Sequence, residues 1–433
     1  MERQKKSFLI AIGTLFVLMS FTYVLTLTME CKGLNLLSFI ASPILVLGSS
    51  SGSTIIAIII FLIIIGGIVE GLNRCGFLEY MIGKIVYLYG KKRYKLMAIL
   101  VFFFMAMGSL IGSFEEVVPL VPIVTGLAVE LGFDALTGVG MSLLAVGCGF
   151  AAGVANPFTI GVAQGLANLP MFSGALFRTV GFVLIYLLLM AFLYTHAKRV
   201  AKDIEGIKRE FVRNELLDRS LMLFAIIMGI GLIIVLASPF LTFLQEYTMI
   251  IIALMFLIAG TVAILSSNTS FKNFGKYFIV GVLNIAPSIL LILMASSIRY
   301  IMEESGLITV ILDKLINVAE NMNRIELVLF MYFVCLIMEF FVSSGSAKAF
   351  LLMPILIPLC VAFDINPQLC ILAYAFGDGF SNVFYPTNPA LLISLGLINM
   401  DYGTWFRYSW QFQLLNFILT SGILIVGLYV TIL

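Results

Sequence analysis

Between Phe376 and Ala390 the chain reads FGDGFSNVFYPTNPA, with one acid (Asp378), two asparagines (Asn382, Asn388), a threonine (Thr387) and two prolines three residues apart. Long apolar segments flank it on both sides. Pro386 and Pro389 have no N–H to donate, so an unbroken helix through both would strand backbone carbonyls. In hydrocarbon each stranded group costs several kcal/mol. Non-helical backbone survives at membrane depth where it is buried in protein or lines a wet cavity. The stretch therefore predicts an interrupted helix whose loose carbonyls and side chains bind something.

The surroundings bear on that depth. Of 433 residues, 61% are hydrophobic and 11% charged, with mean hydropathy +1.13. This is the composition of an all-α polytopic membrane protein, with the lipid bilayer as its partner and no nucleic acid. The six cysteines (31, 75, 148, 335, 360, 370) form no C-x-x-C pair and read as small hydrophobes. The single histidine, His196, opens a basic loop. With no second histidine and no HExxH, a membrane enzyme is the weakest reading. The N-terminus reads as an uncleaved first span, entered from the cytoplasm behind Arg3, Lys5 and Lys6, because no A-x-A site follows its apolar run.

Taken in order, spans fall at about 8–28 and 54–72, with a partial segment at 35–47 containing Pro43. An amphipathic arm follows, interrupted by Glu70, Arg74, Glu79 and Lys84. A re-entrant hairpin occupies about 96–132, its polar tip at Gly112–Glu116 and its second limb carrying Pro119 and Pro122. A helix over 135–167 breaks at GVANPFT, and a span covers 175–195. Residues 196–219 are the most charged stretch and form a cytoplasmic linker between halves 1–195 and 220–433. The second half repeats the plan. It has spans at about 220–239, 248–266 and 279–297, with a loop at 267–278. Then come a second arm, a hairpin at about 326–363, a broken helix at 367–397 and a last span at 409–431.

Offsets test the repeat. Gly76-Phe77-Leu78 answers Gly306-Leu307-Ile308 at 230, Gly112-Ser113 answers Gly345-Ser346 at 233, and Asn156-Pro157 answers Asn388-Pro389 at 232. Weak internal symmetry with paired broken segments points to the binding site of a secondary transporter. Under this layout 19 of the 25 Lys/Arg lie inside and five outside, with Lys348 at a hairpin tip. That bias supports an orientation with the N-terminus inside, and makes the two repeats inverted; the expected location is the cytoplasmic (inner) membrane.

Each half thus sets a hairpin tip against a broken helix. Ser113, Glu115 and Glu116 face Asn156, Pro157 and Thr159; Ser343, Ser344, Gly345, Ser346 and Lys348 face Asp378, Asn382, Thr387 and Asn388. Half-helix N-termini suit carboxylate, and unwound carbonyls suit Na⁺ or a proton-bearing acid. Na⁺ is expected at Asn156, Asp378 and Asn388, with no other cofactor. Ionisable groups at membrane depth are functional candidates by default, which adds Glu339 to the group. Lys348 pairing with Glu339 or Asp378 as a purely structural contact is the bland alternative. The glycine-rich run GVGMSLLAVGCGFAAG reads first as close helix packing.

With these motifs in hand, the chain resembles the DcuC/YfcC family of carriers in the ion-transporter superfamily. The pieces that carry the likeness are GSFEEVVPLVPI, GFAAGVANPFTIGVAQG, SSGSAKAFLLMPILIPL and FGDGFSNVFYPTNPALL. The resemblance implies secondary active transport, of C4-dicarboxylates or of amino acids such as arginine and ornithine. It implies a homodimer held by a scaffold, and a transport domain of two hairpins and two broken helices moving as an elevator. Substrate and cation sites would then lie at the tips and at 153–159 and 378–389. Three acids against one base at the site fit an amino acid, basic or zwitterionic, better than a C4-dicarboxylate. A Na⁺/H⁺ antiporter without organic substrate is the remaining alternative, and a channel fits paired hairpins poorly.

Overall fold

The computed structural model describes residues 2–29, 31–49, 52–110, 112, 114–170, 172–202, 212–237, 248–319 and 322–430. Among the described residues every regular element is helical. Helices α1 (Glu2–Thr28), α2 (Leu36–Leu45) and α3 (Gly52–Arg74) lead to an arm, α4 (Phe77–Tyr89). The first hairpin is α5 (Arg93–Leu110), a tight turn Glu115–Leu120, and α6 (Val121–Glu130). Helix α7 (Ala135–Ala152) stops, and α8 (Val162–Leu166) resumes after a wide turn at Pro157–Gly161. Helix α9 (Ala175–Val200) closes the first half.

The second half runs α10 (Glu215–Ala237), α11 (Thr248–Ser266), α12 (Phe271–Ser305) and the arm α13 (Leu307–Ala319). The second hairpin is α14 (Arg324–Phe341) and α15 (Gly345–Ala362). Then come α16 (Pro367–Asn382), α17 (Pro389–Leu397) and α18 (Tyr402–Gly427). The order of elements in α4–α9 recurs in α13–α18. Four stretches among the described residues are long and apolar enough to cross a membrane: Phe77–Leu110, Ala135–Ala152, Ala175–Val200 and Tyr402–Gly427.

Several boundaries differ from expectation: α9 runs on to Val200, so His196 lies in its last turns and not in a loop, and α10 begins at Glu215 rather than near 220. Helix α12 begins at Phe271, inside the stretch expected as a loop at 267–278, and α18 begins at Tyr402 rather than near 409. The α12 and α18 starts each have an N-cap. Ser270 Oγ accepts from the Asn273 N–H at 3.3 Å, and Asp401 Oδ1 accepts from the Thr404 N–H at 2.9 Å. Such caps stabilise a helix start by about 1 kcal/mol, enough to extend it through polar sequence. The linker's residues 203–211 lie outside the described residues, while its end is fastened to the first arm. There Asp218 accepts from Tyr80 at 2.7 Å and also pairs with Lys84 and Arg213.

The helices pack in two groups. Helix α12 lies along α3, α1 and α2, α11 packs beside α3, and α10 packs on α11. The other group is built on α7 and α16, which pack on each other; α5 and α9 flank α7, and α14 and α18 flank α16. Glycines let these backbones meet. A Cβ at Gly149 would stand 1.9 Å from the Met105 carbonyl oxygen, and one at Gly379 would stand 2.3 Å from the Ala151 nitrogen. The glycine-rich run is thus close helix packing, as the sequence predicts. Both hairpins are shut at the base by an arginine. Arg93 donates to the Leu131 carbonyl at 3.1 Å; Arg324 donates to the Phe363 carbonyl at 2.8 Å and pairs with Asp364.

Outside the membrane-spanning helices, Asp134 caps α7 and meets His196 at 3.0 Å. Burial would raise its carboxyl, but hydrogen bonds from His196 and Thr137 outweigh that and hold it below the usual carboxylate value.

Candidate functional site

Both broken helices restart in the same way. Asn156 Oδ1 accepts from the Thr159 N–H at 3.2 Å, and Asn388 Oδ1 accepts from the Leu391 N–H at 3.2 Å. Pro157 opens the wide turn that leads into α8, and Pro389 stands at the first position of α17, where a missing N–H removes no hydrogen bond. The Asn-Pro pairs therefore open helices rather than merely breaking them.

The breaks leave carbonyls that need donors. In the first half Arg178 Nε and Nη2 reach the Val154 carbonyl at 3.3 and 3.0 Å. Its guanidinium also donates to the Ser173 and Phe172 carbonyls at 2.8 and 3.2 Å. In the second half Trp405 Nε1 donates to the Val383 carbonyl at 2.8 Å, and Tyr402 donates to the Phe384 carbonyl at 2.8 Å. Arg178 and Trp405 are each the fourth residue of their helix.

The tips approach these breaks. Gly112 has φ +73°, and a Cβ there would lie 1.9 Å from Asn156 Oδ1. Beside it Ser109 Oγ accepts from the Val154 N–H at 2.9 Å. At the other tip the Ser344 carbonyl accepts from the Lys348 N–H at 3.0 Å, and the Gly345 carbonyl accepts from the Tyr374 hydroxyl. A Cβ at Gly345 would lie 2.8 Å from Asp378 Oδ2 and 2.9 Å from Thr159 Cγ2. One point thus joins the second hairpin tip, the second broken helix and the restarted helix of the first half. The exchange runs both ways, since α15 packs on α8 while α17 packs on α6.

The charges at this point are buried. Lys348, at 0% exposure, donates to Asp378 Oδ1 at 2.6 Å and pairs with Glu339, 1% exposed, on α14. Asn382 Nδ2 donates to the Asp378 carbonyl at 2.9 Å, and Asn388 Nδ2 donates to Asn382 Oδ1. Asp378 Oδ2, Thr159 Oγ1 and Thr387 Oγ1 are buried and take no hydrogen bond among the described residues. Unpaired polar atoms in a low-dielectric interior cost about 1–3 kcal/mol each, so they mark a place made for a polar ligand.

The structure therefore links Asn156, Thr159, Gly345, Asp378, Asn382 and Asn388 in one chain of contacts, with Ser344 at its edge and Thr387 buried nearby. Ser113 lies outside the described residues, as do the side chains of Glu115, Glu116, Pro157 and Ser346. Glu339 and Lys348, noted in the sequence only as candidates, hold the ionic centre. Arg178 and Trp405 were not foreseen. Nor was the bridge in which Gln164 Nε2 donates to Gln368 Oε1 at 3.0 Å and to the Ser173 carbonyl at 2.8 Å. The sequence signal for it was the GVAQG piece itself. The three residues expected to hold Na⁺ each already engage a protein partner. Both asparagine oxygens cap helices, and Asp378 Oδ1 already holds an ammonium.

An all-helical chain with membrane-crossing stretches and two interrupted helices meeting at a buried polar point has the build of a membrane transport protein. The sequence profile of the C4-dicarboxylate anaerobic carrier family (DcuC) matches residues 6–429, and the chain belongs to that family. It is a transporter of the DcuC/YfcC family and not an enzyme. Among curated proteins it is 29% identical over 411 residues to the Escherichia coli (strain K12) protein named "Putative basic amino acid antiporter YfcC", covering 87% of this chain and 79% of that one. It is 23% identical over 364 residues to a Haemophilus influenzae protein named "Uncharacterized protein", covering 81% and 71%. In shape it is similar to the YdaH transporter of Alcanivorax borkumensis, at 18% identity, TM-score 0.46 and 97% coverage of each chain. It is also similar to Neisseria gonorrhoeae MtrF, whose structure is described as illuminating a class of antimetabolite efflux pumps, at 14% identity and TM-score 0.47, covering 97% and 95%.

Proposed function

We propose that this chain is a secondary active transporter of a small amino acid, basic in preference to neutral, in the cytoplasmic membrane. The observation that carries the reading is the convergence of Asp378 Oδ2, Gly345 and Thr159 from both halves on one buried point. The only cation described there, Lys348, is held between two carboxylates, so the site offers negative charge to a ligand. A solute ammonium or guanidinium complements it. The relative named for basic amino acid antiport supports the same reading.

In this scheme Asn156, Thr159, Ser344, Gly345, Asp378, Asn382, Thr387 and Asn388 form the solute site, with Ser113, Glu115, Glu116, Pro157 and Ser346 completing it. Halves 1–195 and 220–433 are inverted repeats joined by the linker at 196–219. The group built on α7 and α16 carries the solute as an elevator against the α3–α12 group, which holds a homodimer. Transport is coupled to Na⁺ or H⁺, or runs by exchange. The second reading, a C4-dicarboxylate carrier, rests on the family's description. It requires the site to present net positive charge, which Glu339 and Asp378 oppose.

The experiment is uptake into proteoliposomes of labelled arginine, lysine and succinate, with Na⁺ gradients, pH gradients and internal solute imposed in turn. Accumulation of a basic amino acid is expected. Accumulation of succinate alone would overturn the reading in favour of the dicarboxylate. Sodium–proton exchange without any solute would overturn it in favour of a cation antiporter.

A further inference from the structure

The second-half junction contains a feature that neither solute binding nor the fold requires. Lys348 lies on the first turn of α15, next to the tip, and its side chain turns inward to full burial. Its ammonium meets Asp378 of α16 and Glu339 of α14, so one side chain ties three elements of the half together. Two buried carboxylates on facing elements make a place for a monovalent cation, because neither can remain ionised in a dry interior without one. Here the chain supplies that cation itself.

We propose that Lys348 is a tethered cation, occupying between Glu339 and Asp378 the position that a free monovalent cation would otherwise fill, so that the second-half junction takes no sodium ion. The inference rests on reading Asp378 as part of the solute site, but its test measures cation binding alone. A failed uptake assay therefore leaves it standing, and a failed cation test leaves the transport reading standing. A lysine that only fastened helices would leave nothing recoverable when removed. A lysine standing in for a cation leaves a site that small cations can fill.

The test is thermal unfolding of the full-length protein and of Lys348→Ala, in sodium chloride, methylammonium chloride or choline chloride at equal ionic strength. Lys348→Ala is expected to gain about 3 °C or more from sodium or methylammonium over choline, beyond any gain of the native protein. Lys348→Ala/Asp378→Asn, with one carboxylate neutralised, is expected to lose that gain. Lys348→Ala responding no more than the native protein would overturn the proposal, as would a double variant that keeps the full response. If Lys348→Ala is not recovered in choline, recovery in sodium or methylammonium supports the proposal, and recovery in none of the three overturns it.

Discussion

Gly112 and Gly345 occupy matching tips, yet they are glycine for different reasons. At Gly112 the backbone is left-handed and a Cβ would strike Asn156 Oδ1, whereas at Gly345 only contact forbids the methyl, which would strike Asp378 Oδ2. A non-glycine residue in the left-handed region costs about 1–2 kcal/mol before any clash is counted. Gly112→Ala is therefore expected to lower stability by about 2 kcal/mol or more and to reduce uptake. Gly345→Ala is expected to abolish uptake with a smaller loss of stability, because its cost falls on the ligand point. Gly165, on α8 with open space around its Cβ position, serves as control: Gly165→Ala is expected to transport normally and to gain up to about 1 kcal/mol. Thermal unfolding with proteoliposome uptake checks all three, and native uptake by Gly345→Ala would remove that tip from the site.

At the scale of elements, the broken helices depend on the helices that follow them. Arg178 serves three carbonyls, and Trp405 one, from the same position of α9 and α18. Removing a donor leaves the carbonyls it served, part-buried at Val154, Phe172 and Ser173 and buried at Val383, short of a partner at a cost of up to about 1–3 kcal/mol each. Arg178→Met is expected to destabilise by about 3–5 kcal/mol, and Trp405→Phe by about 1–2 kcal/mol, in chemical or thermal unfolding. Equal losses would show that these side chains do not cap the breaks. The same helices show how far the sequence can be read. The Asn-Pro pairs, the polar tips and the arms were legible because their signals are local: a cap, a missing N–H, a break in hydropathy. Arg178 was not legible, since nothing near it in sequence names Val154 as its acceptor. The Gln164–Gln368 bridge spans the two halves, and the GVAQG piece marks Gln164 without naming Gln368 as its partner. The early starts of α12 and α18 were missed although Ser270 and Asp401 stood in cap position, because the polar loop composition outweighed a single capping residue.

The whole molecule turns on which way each half faces. The ends of α3 and α12 carry the same type of ion pair with its signs exchanged: Glu70 with Arg74 at 2.7 Å, and Arg299 with Glu303 at 2.7 Å. The segment 73–95, holding the first arm, carries six Lys/Arg, while its counterpart 304–326 carries two. Equivalent elements so differently charged are expected on opposite sides of the bilayer, because basic residues are retained on the cytoplasmic side. If the halves are inverted, a break in one that opens inward matches a break in the other that opens outward, and the point shared by Thr159, Gly345 and Asp378 lies near mid-depth. Single cysteines at Arg74 and Glu304 test this once Cys31 and Cys75, both partly exposed, are changed to serine. With a membrane-impermeant maleimide, Glu304→Cys is expected to react in intact cells, and Arg74→Cys only in inside-out vesicles. Labelling of both from one side would place the arms together, and a solute reaching Asp378 could not then be passed between two oppositely facing halves.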